Sequence, residues 1–179
     1  MKLVSIVGMT GSGKTEVAKV FEMEGFKRVR FGDITDEEIR KRGLEMNEKN
    51  ERFVRQQLRD EHGMSAYAKL NAPRIDIALK SSGVVVDGLY SWEEYTLLKS
   101  RYDDLHVVAV WSSPETRYRR LTTRIGRPLM REEAASRDIA EIENINKGGP
   151  IAMADFVIVN ESSLEDLEEK AKGVISSLK

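Results

Sequence analysis

The chain has 179 residues, 40% of them hydrophobic and 33% charged, and its 29 Lys and Arg against 30 Asp and Glu leave a net charge of −1. That length suits one domain, and the near-neutral balance provides no overall field toward nucleic acid or a membrane. Cys is absent and the only His are His62 and His106, so disulfides, thiolate metal sites, a thiol nucleophile and a histidine metal cluster are excluded.

The sequence is expected to enter its first strand at once, and no signal peptide is expected. No apolar run approaches the ~20 residues that span a bilayer, so a cytoplasmic protein is expected. The first strand is Leu3–Val7, and a helix follows from Lys14 with Val17, Val20 and Phe21 on one face and a stop at Gly25. Between them stands Gly8-Met9-Thr10-Gly11-Ser12-Gly13-Lys14-Thr15. This is the P-loop pattern G-x-x-x-x-G-K-T in its required setting, after a strand and ahead of a helix. Its glycines let the backbone wrap close to a triphosphate, so that successive N–H groups and the helix N-terminus face the oxygens. Lys14 is placed at the β- and γ-phosphates of ATP and the Thr15 hydroxyl on Mg²⁺.

A second strand is expected over 28–31, followed by Gly32-Asp33 and then Arg40. Asp33 would orient or deprotonate an acceptor hydroxyl, or merely cap the helix containing residues 34–42, and Arg40 would pair with an acceptor phosphate. A helix around 47–62 places Arg52, Arg55 and Arg59 on one face, which suits a basic cradle or an ordinary wet face. The third strand, 83–87, carries the β-branched run Val84-Val85-Val86 of a strand covered on both faces and ends in Asp87-Gly88. An acid there, beside the P-loop strand, would help order Mg²⁺ and, with Gly88, face the acceptor. The same pair would also serve as a plain turn.

A fourth strand over 106–112 leads into Ser113-Pro114, an N-cap and first-turn proline. Arg117, Arg120, Arg124 and Arg127 follow at spacings that put them on one helical face, with Arg119, Arg131 and Arg137 nearby. Phosphoryl transfer spreads charge over three equatorial oxygens, and a mobile arginine-bearing helix would stabilise it. Glu115, Glu132, Glu133 and Asp138 would neutralise the same arginines on a solvated face. The fifth strand is 156–159, and Ser162 with Glu165 reads as a capping box for a last helix that repeats Leu164, Leu167, Ala171, Val174 and Leu178.

Strands alternating with helices predict an α/β P-loop NTPase: a five-stranded parallel sheet with helices on both faces. Residues 33–82 and 117–150 exceed what crossovers require and lie at the carboxyl ends of strands. They are expected to be an acceptor-binding insertion and a lid within one domain.

These motifs together resemble the P-loop nucleotide kinases of the adenylate kinase and dephospho-CoA kinase type. The P-loop and Phe21-Glu22-Met23-Glu24-Gly25-Phe26 look like the dephospho-CoA kinase opening. So do Arg120-Leu121, Arg124, Glu132-Glu133-Ala134, Arg137, the run Ala154–Asn160 and then Ser163-Leu164-Glu165-Asp166-Leu167. The resemblance implies a lid at 117–137, with a catalytic role for Lys14, Asp33, Arg120, Arg124, Arg127 and Arg137. It also places the loop before the fifth strand near the base of ATP. The middle of the chain departs from the dephospho-CoA kinase pattern: a Pro-Leu-Leu-Phe-Glu-like segment is replaced by Asp87-Gly88-Leu89-Tyr90-Ser91-Trp92-Glu93-Glu94. With Gly32-Asp33 and Arg40, this looks more like nucleoside monophosphate kinases. A glutamine common four residues after the lid arginine is Glu141 here.

The implied activity is transfer of the γ-phosphoryl of ATP, with Mg²⁺, to a nucleotide-like small molecule. A nucleoside monophosphate such as AMP leads, the ribose hydroxyl of dephospho-CoA is the alternative, and a nucleotide-binding regulator or ATPase switch is a third reading. A GTPase is disfavoured, because Asn146-Lys147-Gly148-Gly149 lacks the acid of the guanine motif Asn-Lys-x-Asp.

Overall fold

The computed structural model describes residues 1–125 and 128–178. Its elements run β1 (Leu3–Val7), α1 (Lys14–Met23), β2 (Lys27–Arg30), α2 (Asp33–Lys41), α3 (Glu48–His62), α4 (Ala66–Leu79) and β3 (Val84–Asp87). Then come α5 (Trp92–Arg101), β4 (Leu105–Trp111), α6 (Pro114–Thr122), α7 (Arg131–Glu143), α8 (Gly148–Ala152), β5 (Phe156–Val159) and α9 (Leu164–Ser177). The strands form one sheet in the order β2-β3-β1-β4-β5, every neighbouring pair parallel.

β1, β3 and β4 alternate their side chains between two apolar layers, which is why their sequences read as unbroken aliphatic runs. Leu3 and Val7, Val84 and Val86, and Leu105, Val107 and Ala109 pack with Ile39 of α2, Val54 of α3, Tyr67 and Ile75 of α4 and Leu98 of α5. Val4, Ile6, Val85, Val108 and Val110 pack on the other side with Val17 and Phe21 of α1 and Leu167, Ala171 and Ile175 of α9. Because all strands run one way, the P-loop after β1, Gly32 after β2, Asp87 at the end of β3 and Ser112 after β4 meet at one edge of the sheet. No helix among the described residues is long and apolar enough to cross a membrane.

The sequence reading needs several corrections, among them β3 and β4, which span Val84–Asp87 and Leu105–Trp111 rather than 83–87 and 106–112. β2 begins one residue earlier than expected and leaves Phe31 just past its end, buried in the core. α4 was not anticipated, since Pro73 lies inside it and proline normally breaks a helix. Its Ala66, Tyr67, Ala68 and Ile75 are nonetheless buried, and tertiary packing overrides local propensity. α6 stops at Thr122, where the hydroxyls of Thr122 and Thr123 bond back to the Arg119 carbonyl at 2.9 and 3.2 Å. The four-arginine helical face therefore does not exist: Arg124 lies beyond the helix, and Arg127 lies outside the described residues. Finally, α9 is capped by Ser163, whose Oγ accepts from Asp166 N at 3.3 Å, while the Ser162 hydroxyl is taken by the Asp166 carboxylate.

Candidate functional site

Gly13, the residue before α1, has φ 101°, and a Cβ there would lie 2.4 Å from Asn160 Nδ2, so only glycine fits. Asn160 Nδ2 in turn donates to the Ser12 carbonyl at 2.8 Å and pins the loop to the end of β5. The first N–H groups of α1 have no helical acceptor and open on the loop. Lys14 Nζ folds back to donate to the carbonyls of Gly8 and Met9, at 2.8 and 3.0 Å. Burial, and then the nearby Lys147 ammonium, lower the Lys14 pKa to about 7. The loop thus holds a lysine that has no carboxylate hydrogen-bond partner among the described residues, at the point where a polyphosphate would supply negative charge.

Thr15 Oγ1 donates to Asp87 Oδ2 at 3.4 Å, and Asp87, the last residue of β3, is buried beside β1. The same Asp87 oxygen accepts from Arg28 Nη2 of β2. A hydroxyl and one carboxylate, completed by nucleotide phosphates, are what Mg²⁺ takes in phosphotransfer sites. The described residues contain no cluster of three or more His, Asp or Glu that would instead form a dedicated metal cage. The donor set therefore fits Mg²⁺ held by Thr15 and Asp87.

Above the loop, Arg117 is buried rather than presented to a ligand. Its guanidinium takes both Asp138 oxygens at 2.8 and 2.6 Å and donates to the Thr10 and Ser112 carbonyls at 3.1 and 3.2 Å. It is a strut joining α6, α7 and the P-loop. Arg120 donates to Ser112 Oγ and Asn160 Oδ1, at 3.0 and 3.2 Å, and lines the cavity with Arg124. Neither has an ion pair with a described carboxylate. Arg137 of α7 also lines it, 3.3 Å from Glu141 and 3.9 Å from Glu48.

A cavity of about 770 Å³ runs from the P-loop, past Asp87 and Gly88, to a chamber walled by α2, α3 and α4. Gly88 has φ 109°, and a Cβ there would press to 2.7 Å from Tyr90 Oη, so the backbone turns in the one conformation that leaves room for the phenol. Tyr90 is edge-to-face with Tyr67 at 5.6 Å, Tyr67 Oη shares a hydrogen bond of 2.6 Å with Thr35 Oγ1, and Arg59 lies 5.5 Å from the Tyr67 ring centre. Burial, reinforced by the Asp87 charge, holds the Tyr90 phenol well above its usual range. Behind it Glu94 accepts from the Tyr90 and Ser91 amides at 2.9 and 3.3 Å, and burial raises its carboxyl to about 7.

Two expected acceptor residues lie elsewhere. Asp33 is the first residue of α2, with Gly32 as its N-cap, and faces a separate groove outside β2, where it pairs with Arg30 at 2.7 Å. Arg40 is exposed and outside the cavity wall. Asp33 and Asp36 lie one turn apart and share Arg30 Nη1, but of the α2 side chains Thr35 and Asp36 line the cavity and Asp33 and Arg40 do not. Of the 47–62 arginines, Arg55 lines the cavity, Arg59 sits behind Tyr67 and Arg52 is exposed.

Sequence reasoning missed Lys147. This lysine is 1% exposed, 2.7 Å from Glu141 Oε2 and 5.4 Å from the Tyr90 ring centre. Glu141 Oε1 accepts from Thr10 Oγ1 of the P-loop at 2.7 Å, so this pair joins the loop to the chamber. Burial works to raise the Glu141 carboxyl, but the Lys147 ammonium overrides it and holds the group far below the usual carboxylate range. The available signal was the replacement of an expected glutamine by Glu141, which calls for a cation nearby.

A family model described as an AAA domain matches residues 4–140. A UPF0200 protein of Thermococcus kodakarensis is 39% identical over 182 residues, spanning 98% of this chain and 97% of that one. Among solved structures, TT1252 from Thermus thermophilus superposes with TM-score 0.70 at 24% identity, over 99% of this chain and 98% of that one. A gluconokinase from Sinorhizobium meliloti gives 0.61 at 16%, over 99% and 93%. A dephospho-CoA kinase from Campylobacter jejuni gives 0.58 at 15%, over 99% and 97%. At these identities the solved structures establish the P-loop kinase fold.

Proposed function

The chain belongs to the UPF0200 family and, through residues 4–140, to the AAA domain family, and from that footing we propose that it is an ATP-dependent kinase acting on a small molecule. The observation that carries this reading is the continuous cavity joining the P-loop to a walled chamber. A switch that only hydrolyses ATP needs no second chamber. That two proteins of like fold are a gluconokinase and a dephospho-CoA kinase supports the same reading.

In this account the loop amides and Lys14 hold the β- and γ-phosphates. Thr15 and Asp87 would hold Mg²⁺, which would supply positive charge against the phosphates. Arg120 and Arg124 meet the charge that spreads over the transferred group, while Arg137, beside Glu141 and Glu48, belongs to the chamber wall. Residues 33–82 supply the acceptor chamber and 117–150 the lid. The nucleoside monophosphate reading leaned on Arg40 for the acceptor phosphate. With Arg40 outside the cavity and Asp36 inside it, the geometry favours an acceptor that presents a hydroxyl.

The test is ADP formation from ATP·Mg²⁺ with and without a pool of nucleosides, nucleotides, sugars and polyols. Pool-dependent ADP that disappears in Lys14→Ala is the expected result. Hydrolysis at the same rate with and without the pool would assign a switch instead.

A further inference from the structure

The two ends of the cavity treat charge differently, and the difference identifies the acceptor. At the P-loop end the cations meet no described carboxylate at hydrogen-bond distance. Lys14 is bonded to carbonyls, Arg120 to Ser112 Oγ and Asn160 Oδ1, and Arg124 lines the wall without an ion pair. That end suits a polyanion.

At the chamber end every arginine of the wall is held by carboxylates. Arg30 donates to Asp33 and Asp36 at 2.7 and 2.8 Å. Arg55 lies 2.7 Å from Glu48 and 3.4 Å from Glu51, and Arg137 spans Glu48 and Glu141. An acceptor phosphate or carboxylate would approach guanidiniums whose charge nearby carboxylates already offset, so it would gain less here than at the P-loop end. What the chamber offers beside these pairs is neutral: the Thr35–Tyr67 hydroxyl pair, the Tyr90 phenol and the edge-to-face tyrosine wall. Such a surface hydrogen-bonds hydroxyls and packs against C–H faces.

We propose that the acceptor is an uncharged, polyhydroxylated molecule, and that Asp36 orients the hydroxyl that reacts. This rests on the kinase reading above. The acceptor oxygen forms its bond to the γ-phosphorus as the bond from that phosphorus to the β,γ-bridging oxygen breaks. The bridging oxygen leaves with ADP, and the hydroxyl proton passes to the Asp36 carboxylate. Arg30 occupies Asp36 Oδ2 and leaves the second oxygen without a described donor.

The experiment compares acceptors that differ in charge: adenosine with AMP, cytidine with CMP, glucose with glucose 6-phosphate and myo-inositol with its monophosphate, each with ATP·Mg²⁺ and read as kcat/KM for ADP formation. The preferred acceptor should be an uncharged member, favoured over its phosphorylated partner by about tenfold or more, the discrimination expected when a site leaves a buried group unpaired. Preference for a charged member would overturn the acceptor class while keeping the kinase. Acceptor-independent ADP formation throughout would overturn the kinase reading as well. Glu48→Gln, at a half-exposed position, removes one of the two carboxylates beside Arg55 and beside Arg137. It should lower the KM of the charged partner and narrow the ratio; an unchanged ratio contradicts the proposal.

Discussion

The donor and acceptor ends of one cavity are built in opposite ways. The end proposed for the donor is a contiguous run, Gly8–Thr15, whose lysine is held by backbone carbonyls. The acceptor end is an assembly of side chains from β2, α2, α3, α4 and β3, each charge already matched by another. A backbone site tolerates change around it and accepts any polyphosphate. A side-chain site is specific, and a single broken pair changes what it admits.

The largest effect should come from the donor end. Lys14→Ala is expected to lower kcat by about 10³-fold, the scale of losing a preorganised cation at developing charge. Circular dichroism and melting should find the fold intact, since the side chain bonds only to its own loop. The same residue gives a pH signature. With the Lys14 pKa lowered to about 7 in the free protein and raised again by a bound triphosphate, ATP affinity should fall as pH rises above about 7. The unfolded chain binds more protons than the native one between that pKa and the ordinary lysine value of 10.5, so stability rises with pH through this window. Lys14→Ala should flatten both profiles in calorimetric titrations and pH-dependent melts.

At the acceptor end, Asp36→Asn should lower kcat by about 10²-fold, as removal of a group assisting proton transfer does, while Asp33→Asn changes it little. Equal losses would return the role to Asp33. Between the ends, Lys147→Met leaves Glu141 buried without its ammonium, which should cost about 3 kcal/mol of stability. The double change with Glu141→Gln should recover part of that loss in thermal melts. Arg124→Ala should lower kcat by about tenfold with ATP affinity nearly unchanged, because it meets charge mainly in the transition state. Arg40→Ala should alter acceptor KM by less than about twofold, as expected of an exposed residue outside the site. A large rise in KM there would break the comparison.

The same contrast explains what was legible in the sequence. The P-loop, the strand-ending Asp87 and the five-strand order of elements follow from local pattern, because glycine spacing, β-branched runs and helix caps act within a few residues. The acceptor chamber does not. Its Thr35–Tyr67 and Arg137–Glu48 contacts join residues far apart in sequence, and which of Asp33 and Asp36, one turn apart on α2, lines the cavity is fixed by how that helix packs. Arg117 looked like a ligand arginine by spacing and proved to be a buried strut, since its partner Asp138 lies on another helix. Charge pairing across elements leaves no periodic trace.

The central claim, phosphoryl transfer from ATP to a small-molecule hydroxyl, is tested most directly by ³¹P NMR of the protein with ATP·Mg²⁺ and the uncharged acceptors. The account predicts a new phosphomonoester resonance growing in step with ADP as the γ-phosphate signal falls. Growth of inorganic phosphate alone, at a rate indifferent to acceptor, would contradict it.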